Sequence, residues 1–438
     1  MAETGIRPAL EALRLLGTAE ELEAQAGRMI GPASPSKANA HIHVPPNFSA
    51  FDSVRHAVTV AAYQGVRVLG LSNYYDFAVY AEVAETCRQL GIFPLFGLEI
   101  IALLDELKHA GTLINDPGNP GRMYLCGKGV LFFDSLTPEA DNLMQVTRRN
   151  DTLRMRHMVV LLEGIFKQHS VATGLDEGTI IDKVMQRHRV RREAVYLQER
   201  HVAQAFQEAF FLAVEPAGRR EILSTIIGTS SKAAPEDPIA VQQEIRSHLM
   251  KVGKPAFVPE TFLNFEQAYR LILELGGIPC YPTLADGAAP VCSYEDPPEK
   301  LIPELKRRRI HCAELIPIRN QPQVLERYVR VLREAGMIVT AGTEHNTFDL
   351  LPLEPLCVNS RPIPEPIQEI FWEGACVVAA HQFLAAHGKS GYVDCAGNLN
   401  PAFSDTELRI GYFRRLGAAV LSRYLEQSPI SGASLSHE

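Results

Sequence analysis

The chain has 438 residues, more than one minimal hydrophobic core needs, so either a single large α/β barrel with an insertion or two domains fits the length. Hydrophobic residues make up 46% of the chain and charged residues 21%, a composition that excludes a largely disordered protein. Acidic residues outnumber basic ones by 51 to 43, and this formal net charge of −8 disfavours a surface that binds nucleic acid.

The N-terminal segment and the cysteines indicate a protein of a reducing compartment. The first 30 residues carry five glutamates and no long apolar segment, so we expect no secretory signal. No apolar run reaches the roughly 20 residues that cross a bilayer, so no membrane partner is expected. The eight cysteines are widely spaced without a CxxC pair, which predicts reduced, mostly buried thiols and a cytoplasmic location.

The predicted elements begin with an amphipathic lead-in helix at residues 8–29, where leucines recur at helical spacing. From residue 39, short apolar strands alternate with helices, the pattern of a parallel sheet covered by helices. We predict strands at residues 40–44, 66–72, 92–100, 123–126, 277–281, 312–317 and 338–342. We predict helices at residues 53–64, 79–90, 265–275, 300–309 and 323–335. Four of these helices should end in a left-handed glycine cap, at Gly65, Gly91, Gly276 and Gly336.

The alternation is interrupted between residues 137 and 254. Thr137 followed by Pro138 is typical of a helix start, and long charged helical runs, including residues 190–211, follow it. A segment of this length exceeds a connecting loop, so we predict an inserted helical subdomain or lid. The sequence is thus predicted to divide into five parts: a helical lead-in (1–38), a first barrel part (39–136), the insertion (137–255), a second barrel part (256–360) and a C-terminal helical segment (361–438). In the last part we predict helices at residues 364–386 and 405–425.

Two histidines on the first predicted strand are candidate metal ligands. His41 and His43 are separated by one residue, so both imidazoles project from the same face of the strand. Neutral imidazole is a common ligand of zinc, iron and manganese. For an isolated pair of this kind, hydrogen-bonded histidines near a turn are the more common explanation.

Acidic residues at two other strand ends strengthen the metal interpretation. Glu99 ends the third predicted strand, and Glu344 and His345 follow the last one. The carboxyl ends of the strands of a parallel α/β barrel open on one rim, so these residues should meet His41 and His43 there. The sequence therefore predicts a site for a divalent metal ion, either zinc, manganese or iron.

With HxH on the first strand, G-x-E on the third and an acidic residue with histidine closing the last, the chain resembles the PHP superfamily, named for polymerase and histidinol phosphatase. The resemblance covers about residues 39–123 and 265–346 and skips the insertion. It implies an α/β fold with a distorted (β/α)7 TIM-like barrel of the PHP type, here with a large helical insertion and C-terminal helices. The barrel of this superfamily holds up to three divalent metals.

The chain departs from the superfamily pattern at several ligands. The T-D-H expected after the second strand is replaced by a segment containing Tyr74, the A-H-P motif aligns with a segment containing Tyr281, and the histidine of the closing G-S-D-x-H is shifted by one place. The resemblance implies that one metal is shared by four residues: His41, His43, Glu99 and Glu344. The other metal positions lack their histidines, so we expect one well-formed site.

Tyrosines would then stand beside the metal in place of imidazoles. A tyrosine near a cation can act as an acid or base or can hydrogen-bond a sugar hydroxyl, although filling the space of lost ligands explains Tyr74 and Tyr281 equally well. We predict that His345 or one of these tyrosines moves the proton.

Glu314, Arg319 and Asn320 follow the strand before the closing motif and are predicted near the same rim. Arginine suits the carboxylate or phosphate of a substrate because its planar fork binds either with two hydrogen bonds. We therefore predict that Arg319 and Asn320 bind substrate, with a surface ion pair as the alternative for the arginine.

Three functions compete on this evidence. The leading one is a PHP-like metal-dependent hydrolase in which metal-activated water attacks a small phosphorylated or carboxylated metabolite. The second is a metal-dependent lyase or isomerase of a sugar or sugar acid. The third is a non-catalytic barrel that uses its insertion for protein contacts. The expected partner is a small-molecule substrate and not nucleic acid, and formation of a homo-oligomer is left open.

Overall fold

The computed structural model describes residues 8–28 and 36–429, and in this part of the chain it has an α/β fold with two β-sheets. One sheet has the strand order β1-β2-β3, and the other has the order β6-β4-β5-β7-β8-β9. The strands are β1 (Lys37–Ile42), β2 (Val66–Leu71), β3 (Phe93–Leu95), β4 (Gly97–Leu103), β5 (Arg122–Lys128), β6 (Leu263–Asn264), β7 (Ile278–Thr283), β8 (Cys312–Leu315) and β9 (Ile338–Ala341).

Helices cover both sheets, and the regular elements between β5 and β6 are all helical. They are α1 (Pro8–Arg14), α2 (Ala19–Arg28), α3 (Val54–Tyr63), α4 (Tyr80–Leu90), α5 (Asp105–His109), α6 (Pro138–Gln168), α7 (Glu177–His188), α8 (Glu199–Ala213), α9 (Pro216–Ile227), α10 (Pro238–Ile245), α11 (Phe265–Glu274), α12 (Pro298–Arg307), α13 (Pro322–Glu334), α14 (Glu365–Ala386) and α15 (Thr406–Glu426). Within the described residues, no helix has both the length and the apolar composition to span a membrane.

The prediction of a wholly parallel sheet is wrong at β5, which runs antiparallel to both of its neighbours, β4 and β7. The connection from β4 to β5 contains only the short helix α5. A parallel pair needs a crossover that returns the chain to the same end of the sheet, and this connection does not provide one. The start of β5 therefore lies beside the carboxyl end of β4, at the predicted rim.

The two sheets approach each other at two isolated bridges, and a continuous closed sheet is not formed by the described strands. Ile42 at the end of β1 pairs with Glu344 beyond the end of β9, and Tyr74 beyond the end of β2 pairs with Glu99 in β4. Both bridges involve predicted site residues or their direct neighbours. The two sheets thus meet at the position of the candidate site.

Several element boundaries differ from the prediction for local reasons. The lead-in is two helices because Gly17, with φ 122°, interrupts it. The strand predicted at residues 92–100 is divided into β3 and β4, which belong to different sheets. The helix predicted at 190–211 begins only at Glu199, because the extended Gln198 caps it and accepts a hydrogen bond from the Phe48 backbone. The four predicted glycine caps are all left-handed.

Buried side chains form two separate hydrophobic clusters. The first joins both sheets to the lead-in, C-terminal and other covering helices. The second is built from buried residues between Met155 and Ala256, and all of them except Ala256 lie within the segment predicted as an insertion, residues 137–255. This segment therefore has a core of its own, while Ala140, Leu143 and Met144 at the start of α6 belong to the first cluster and connect the segment to the sheets.

A buried histidine in α14 makes the stability of the fold depend on pH. Nε2 of His381 lies 2.8 Å from the Gly276 carbonyl, its Nδ1 accepts from the Tyr392 backbone, and burial lowers its pKa to about 4. The unfolded chain takes up this proton near pH 6.5, so the contribution of His381 to the free energy of unfolding is full above that pH. It should decrease by up to about 3 kcal/mol as the pH falls to about 4.

We expect His381→Gln to flatten this pH dependence, because glutamine keeps a donor and an acceptor but does not titrate. Urea unfolding at about pH 7, 5.5 and 4.5 measures the effect. The exposed His169, replaced in the same way, serves as the control and should leave the slope unchanged. Equal slopes for the wild type and His381→Gln would contradict the prediction.

Candidate metal centre

Three of the predicted ligands converge at the carboxyl end of β1. The Nε2 atoms of His41 and His43 are 3.3 Å apart, and Glu99 Oε2 lies 3.7 Å from the first and 3.1 Å from the second. The ligand atoms of all three residues lie within 4.8 Å of one another, and all three side chains are buried. Strand alternation places both imidazoles on one face of β1, and β4 brings Glu99 from the other sheet.

A buried carboxylate oxygen without a hydrogen bond is compatible with a cation at this group. Glu99 Oε2 lies outside hydrogen-bonding geometry in the described structure, and His43 Nδ1 also lacks a partner. Burial lowers the pKa of His43, which favours the neutral imidazole that metals require. A divalent ion held by His41, His43 and Glu99 would satisfy a carboxylate oxygen that is otherwise buried without a hydrogen bond.

A buried ion pair orients His41 from below. Glu314 Oε2 lies 2.6 Å from His41 Nδ1, and Glu314 Oε1 lies 2.5 Å from Lys128 Nζ. Burial alone would raise the pKa of Glu314, but the opposite effect of Lys128 and His41 is larger. The pKa is therefore below its usual value, and the carboxylate is ionised. His41 Nδ1 therefore donates to Glu314, and Nε2 offers its lone pair to the candidate metal position.

The sequence placed Glu314 near the rim and gave no role to Lys128. The signal was present, because Glu314 is the charged residue of the otherwise apolar β8 and Lys128 ends β5, in which Arg122 is the other charged residue. Their partnership was not predictable, since it depends on the antiparallel direction of β5, which brings the carboxyl end of that strand to the floor of the site.

A second group of ligand atoms, from His41, Cys126 and Glu314, also lies within 4.8 Å. It does not resemble a metal site, because Glu314 is already neutralised by Lys128 and burial holds the pKa of the Cys126 thiol well above its usual range. A thiol binds metals as the thiolate. Cys126 therefore packs beneath the site as a neutral side chain. The eight cysteines are all unpaired, and only Cys395 is exposed.

A glycine at the end of β9 makes room for His41. A Cβ atom on Gly342 would lie 2.3 Å from the Cβ of His41, closer than any real contact permits. The next residues continue this close approach, since the backbone N–H groups of Thr343 and Glu344 both donate to the His41 carbonyl. The closing motif thus holds the backbone of the first ligand.

The predicted fourth ligand, Glu344, is held by Arg319 instead of pointing freely to the histidines. Both carboxylate oxygens pair with the guanidinium, and Asn346 Nδ2 donates to one of them at 2.8 Å. Burial alone would raise the pKa of Glu344, but the positive charges of Arg319 and His41 lower it by more. The pKa therefore lies well below its usual range. Glu344 lies outside the close group of ligand atoms, so its role as a ligand stays a prediction.

His345, predicted to move a proton, is not brought to the cluster. Its Nδ1 lies 2.8 Å from Thr343 Oγ1, its Nε2 lies 2.8 Å from the Leu351 carbonyl, and its ring stacks on Phe51. Both ring nitrogens are therefore occupied within the protein. The left-handed φ values of Glu344 and His345, 58° and 53°, make the tight turn that directs the histidine away.

The two predicted tyrosines occupy different places. Tyr74 stacks on His43 with ring centroids 5.1 Å apart, so it lies at the site. Tyr281 is fully buried and donates to Glu295 Oε1 at 2.9 Å, on the opposite face of β7 from Cys280. Burial and Glu99 raise the pKa of Tyr74 well above its ordinary value, so its phenol keeps its proton at neutral pH.

Of the two predicted substrate-binding residues, only Arg319 lines the open site. Asn320 is buried, and its Nδ2 donates to the Leu284 carbonyl at 2.8 Å and to Asp286 Oδ1 at 2.9 Å. These bonds join the loops after β7 and β8. The structure therefore gives Asn320 a positioning contact with the rim loops.

A cavity of about 720 Å³ opens above Glu99. One wall comes from the rim and includes Tyr74, Arg319 and Glu344, and the other comes from the helical insertion and includes Arg200 and Arg246. The sequence allows the insertion to be a lid but does not predict which of its residues reach the site, because the contact joins segments that are far apart in the chain.

No protein-family model matches the sequence, and no curated protein matches it significantly. Among solved structures, the fold is similar to that of a protein from Bifidobacterium adolescentis provisionally assigned as a metal-dependent phosphoesterase, with TM-score 0.51 and 14% identity, covering 78% of this chain and 96% of that one. An amidohydrolase from Chromobacterium violaceum, with bound sulfate and no metal, gives TM-score 0.48 and 15% identity, covering 76% and 97%. At 14% identity, the first similarity establishes a shared fold and nothing about activity.

Proposed function

We propose that this protein is a metal-dependent hydrolase and a divergent member of the PHP superfamily. The observation that carries the proposal is the convergence of His41, His43 and Glu99, with a buried glutamate oxygen that lacks a hydrogen bond. These three residues come from both sheets and meet beneath an open cavity. A His/His/Glu set at the floor of a cavity is the arrangement of a catalytic metal site with positions left for substrate.

We further propose that the two sheets are arcs of one distorted barrel of the PHP type. The bridges from Ile42 to Glu344 and from Tyr74 to Glu99 support this, because each joins one sheet to the other. The similarity to the Bifidobacterium protein, which covers 96% of that chain, supports a shared architecture.

Each residue of the site has a separate role in the proposed hydrolysis. His41, His43 and Glu99 hold one divalent ion, either zinc, manganese or iron. Such an ion polarises the scissile group and lowers the pKa of water. Glu314 keeps His41 in the tautomer whose Nε2 faces the site. Tyr74 retains its proton and donates a hydrogen bond to the substrate.

The proposed substrate is a small phosphorylated or carboxylated metabolite. Arg319 supports this, because its guanidinium lines the cavity and already binds one carboxylate, that of Glu344, with two hydrogen bonds. A phosphate ester agrees with the provisional assignment of the Bifidobacterium protein as a phosphoesterase.

Hydrolysis with and without metal tests this function. We expect protein purified without chelator to release phosphate or carboxylate product from at least one member of a panel of phosphate esters and acyl compounds, measured by the product formed. Treatment with EDTA should abolish the activity, and zinc, manganese or iron should restore it, because His41, His43 and Glu99 need the ion to act. Turnover of sugar acids alone would favour a lyase or isomerase, and activity that survives metal removal would contradict the proposal.

A further inference from the structure

The helical insertion places a group of cations over the candidate metal centre. Arg200 lies in the first turn of α8, and α10 continues into a π-helical turn, Arg246–Met250, that is followed by Lys251. All three side chains line the 720 Å³ cavity and a smaller one of about 130 Å³ beside it. π-Helical turns occur frequently at functional sites.

These cations are only partly neutralised by the protein. Glu199 is the carboxylate next to them, with Oε2 at 2.6 Å from Lys251 Nζ and 3.9 Å from an Arg246 nitrogen. Its other oxygen pairs with Arg154 at 2.6 Å. Among the insertion residues that line the two cavities, four are positive (Arg154, Arg200, Arg246 and Lys251) and two are negative (Asp151 and Glu199). This leaves an excess of two positive charges in this wall, although the whole chain is acidic by eight charges.

Arg200 and Arg246 also have N–H donor groups that lack a strong hydrogen-bond partner. Within the described residues, Arg200 has no carboxylate within 4.0 Å, and the hydrogen bond recorded for its side chain is a long one of 3.5 Å to Asn346 Oδ1. Arg246 Nε is buried without a partner. Burial and the charge of Arg246 lower the pKa of Arg200 to about 10, so the guanidinium stays charged but is not stabilised by its surroundings.

We propose that Arg200, Arg246 and Lys251 form a subsite for a phosphate group of the substrate that does not react. The inference rests on the proposed function, because that function places the reacting group of the substrate at His41, His43 and Glu99. A phosphate monoester carries about −1.5 to −2 charges at pH 7 and matches the excess of two, whereas a single carboxylate neutralises half of it. Arginine forks supply the paired hydrogen bonds that phosphate oxygens accept.

The position of the subsite defines the class of substrate. Arg200 touches Asn346, which donates to Glu344 at the rim, so the cations and the metal ligands belong to one continuous cavity. The cavity volume of about 720 Å³ suits a metabolite and is too small for a folded partner. The substrate is therefore a phosphorylated small molecule with a second group, ester or amide, that is cleaved at the metal centre.

Inorganic phosphate titrated into metal-stripped, full-length protein by calorimetry tests the subsite separately from catalysis. We expect Arg200→Gln and Arg246→Gln each to weaken phosphate binding by at least about tenfold, because each removes charge-assisted hydrogen bonds. Arg191→Gln, an exposed arginine of the same insertion outside both cavities, is the matched control and should bind like the wild type.

The double variant His41→Ala/His43→Ala distinguishes the subsite from the metal centre and should bind phosphate normally. Acetate should bind at least about tenfold more weakly than phosphate if the charge match is correct.

The proposal is overturned by an absence of phosphate binding, by unchanged binding in Arg200→Gln and Arg246→Gln, by loss of binding in the histidine double variant, or by equal binding of acetate. If Arg246→Gln fails to fold, Arg200→Gln alone decides, because the Arg200 side chain makes one long hydrogen bond and no ion pair within the described residues. Phosphate binding without metal binding would contradict the proposed hydrolase and leave the subsite intact.

Discussion

Protein in which His41 and His43 are both replaced by alanine should contain almost no bound metal. We expect wild-type protein purified without chelator to carry on the order of one ion per chain, and the double variant to retain less than about a tenth of it. The physical reason is that the variant removes two of the three close ligands and leaves only Glu99. Plasma mass spectrometry on both proteins measures the difference.

His345→Ala provides the control for this experiment. Sequence reasoning placed His345 at the same rim, but its two nitrogens are bonded to Thr343 and to the Leu351 carbonyl. The His345→Ala protein should keep its metal if it folds. Equal metal content in the wild type and the His41→Ala/His43→Ala variant would exclude the proposed centre, and a metal-free wild type would favour a non-catalytic barrel.

The second large effect concerns the ion pair beneath the ligands. Glu314→Gln should weaken metal binding by about 10- to 100-fold, because the carboxylate orients His41 and makes it a better ligand. It should also lower the free energy of unfolding by about 3–5 kcal/mol, because Lys128 is left buried without its counter-ion. Competition with a chromophoric chelator measures the first effect, and urea unfolding measures the second.

Combining Glu314→Gln with Lys128→Met separates these two effects. The double variant has no unpaired buried charge, so we expect most of the lost stability to return while metal binding stays weak. Glu326→Gln, which removes a surface carboxylate paired with Arg330, is the control and should change stability by less than about 1 kcal/mol. Full recovery of metal affinity in the double variant would show that Glu314 acts on the fold and not on His41.

The sequence predicted the candidate ligands that neighbour one another along a strand or end a predicted strand, and the structure brings three of them together. His41 and His43 follow from strand periodicity, and Glu99 follows from the rule that strand ends meet at one rim. The same rule failed for His345, because a turn of two left-handed residues cannot be recognised from Glu344 and His345, neither of which is glycine.

Other differences come from register and strand direction. Tyr281 was aligned with a family histidine, yet in a strand a shift of one position moves a side chain to the opposite face, and Tyr281 lies on the face away from the site. Lys128 reaches Glu314 only because β5 runs antiparallel. Arg200 reaches the cavity through packing of the insertion, and no local pattern encodes a contact of that kind.

The split arrangement of the sheets has a consequence for folding during synthesis. His41 and Glu314 touch although they are 273 residues apart in the chain, and the segment between them includes a helical region with its own core. Domains fold as units in the order in which they leave the ribosome, and contacts of long sequence separation form late. We therefore expect the insertion to fold before the strand that carries Glu314 has been synthesised. On this order of folding, the contact that orients His41 forms only after residue 314 has left the ribosome, and the nascent chain passes most of its synthesis without it.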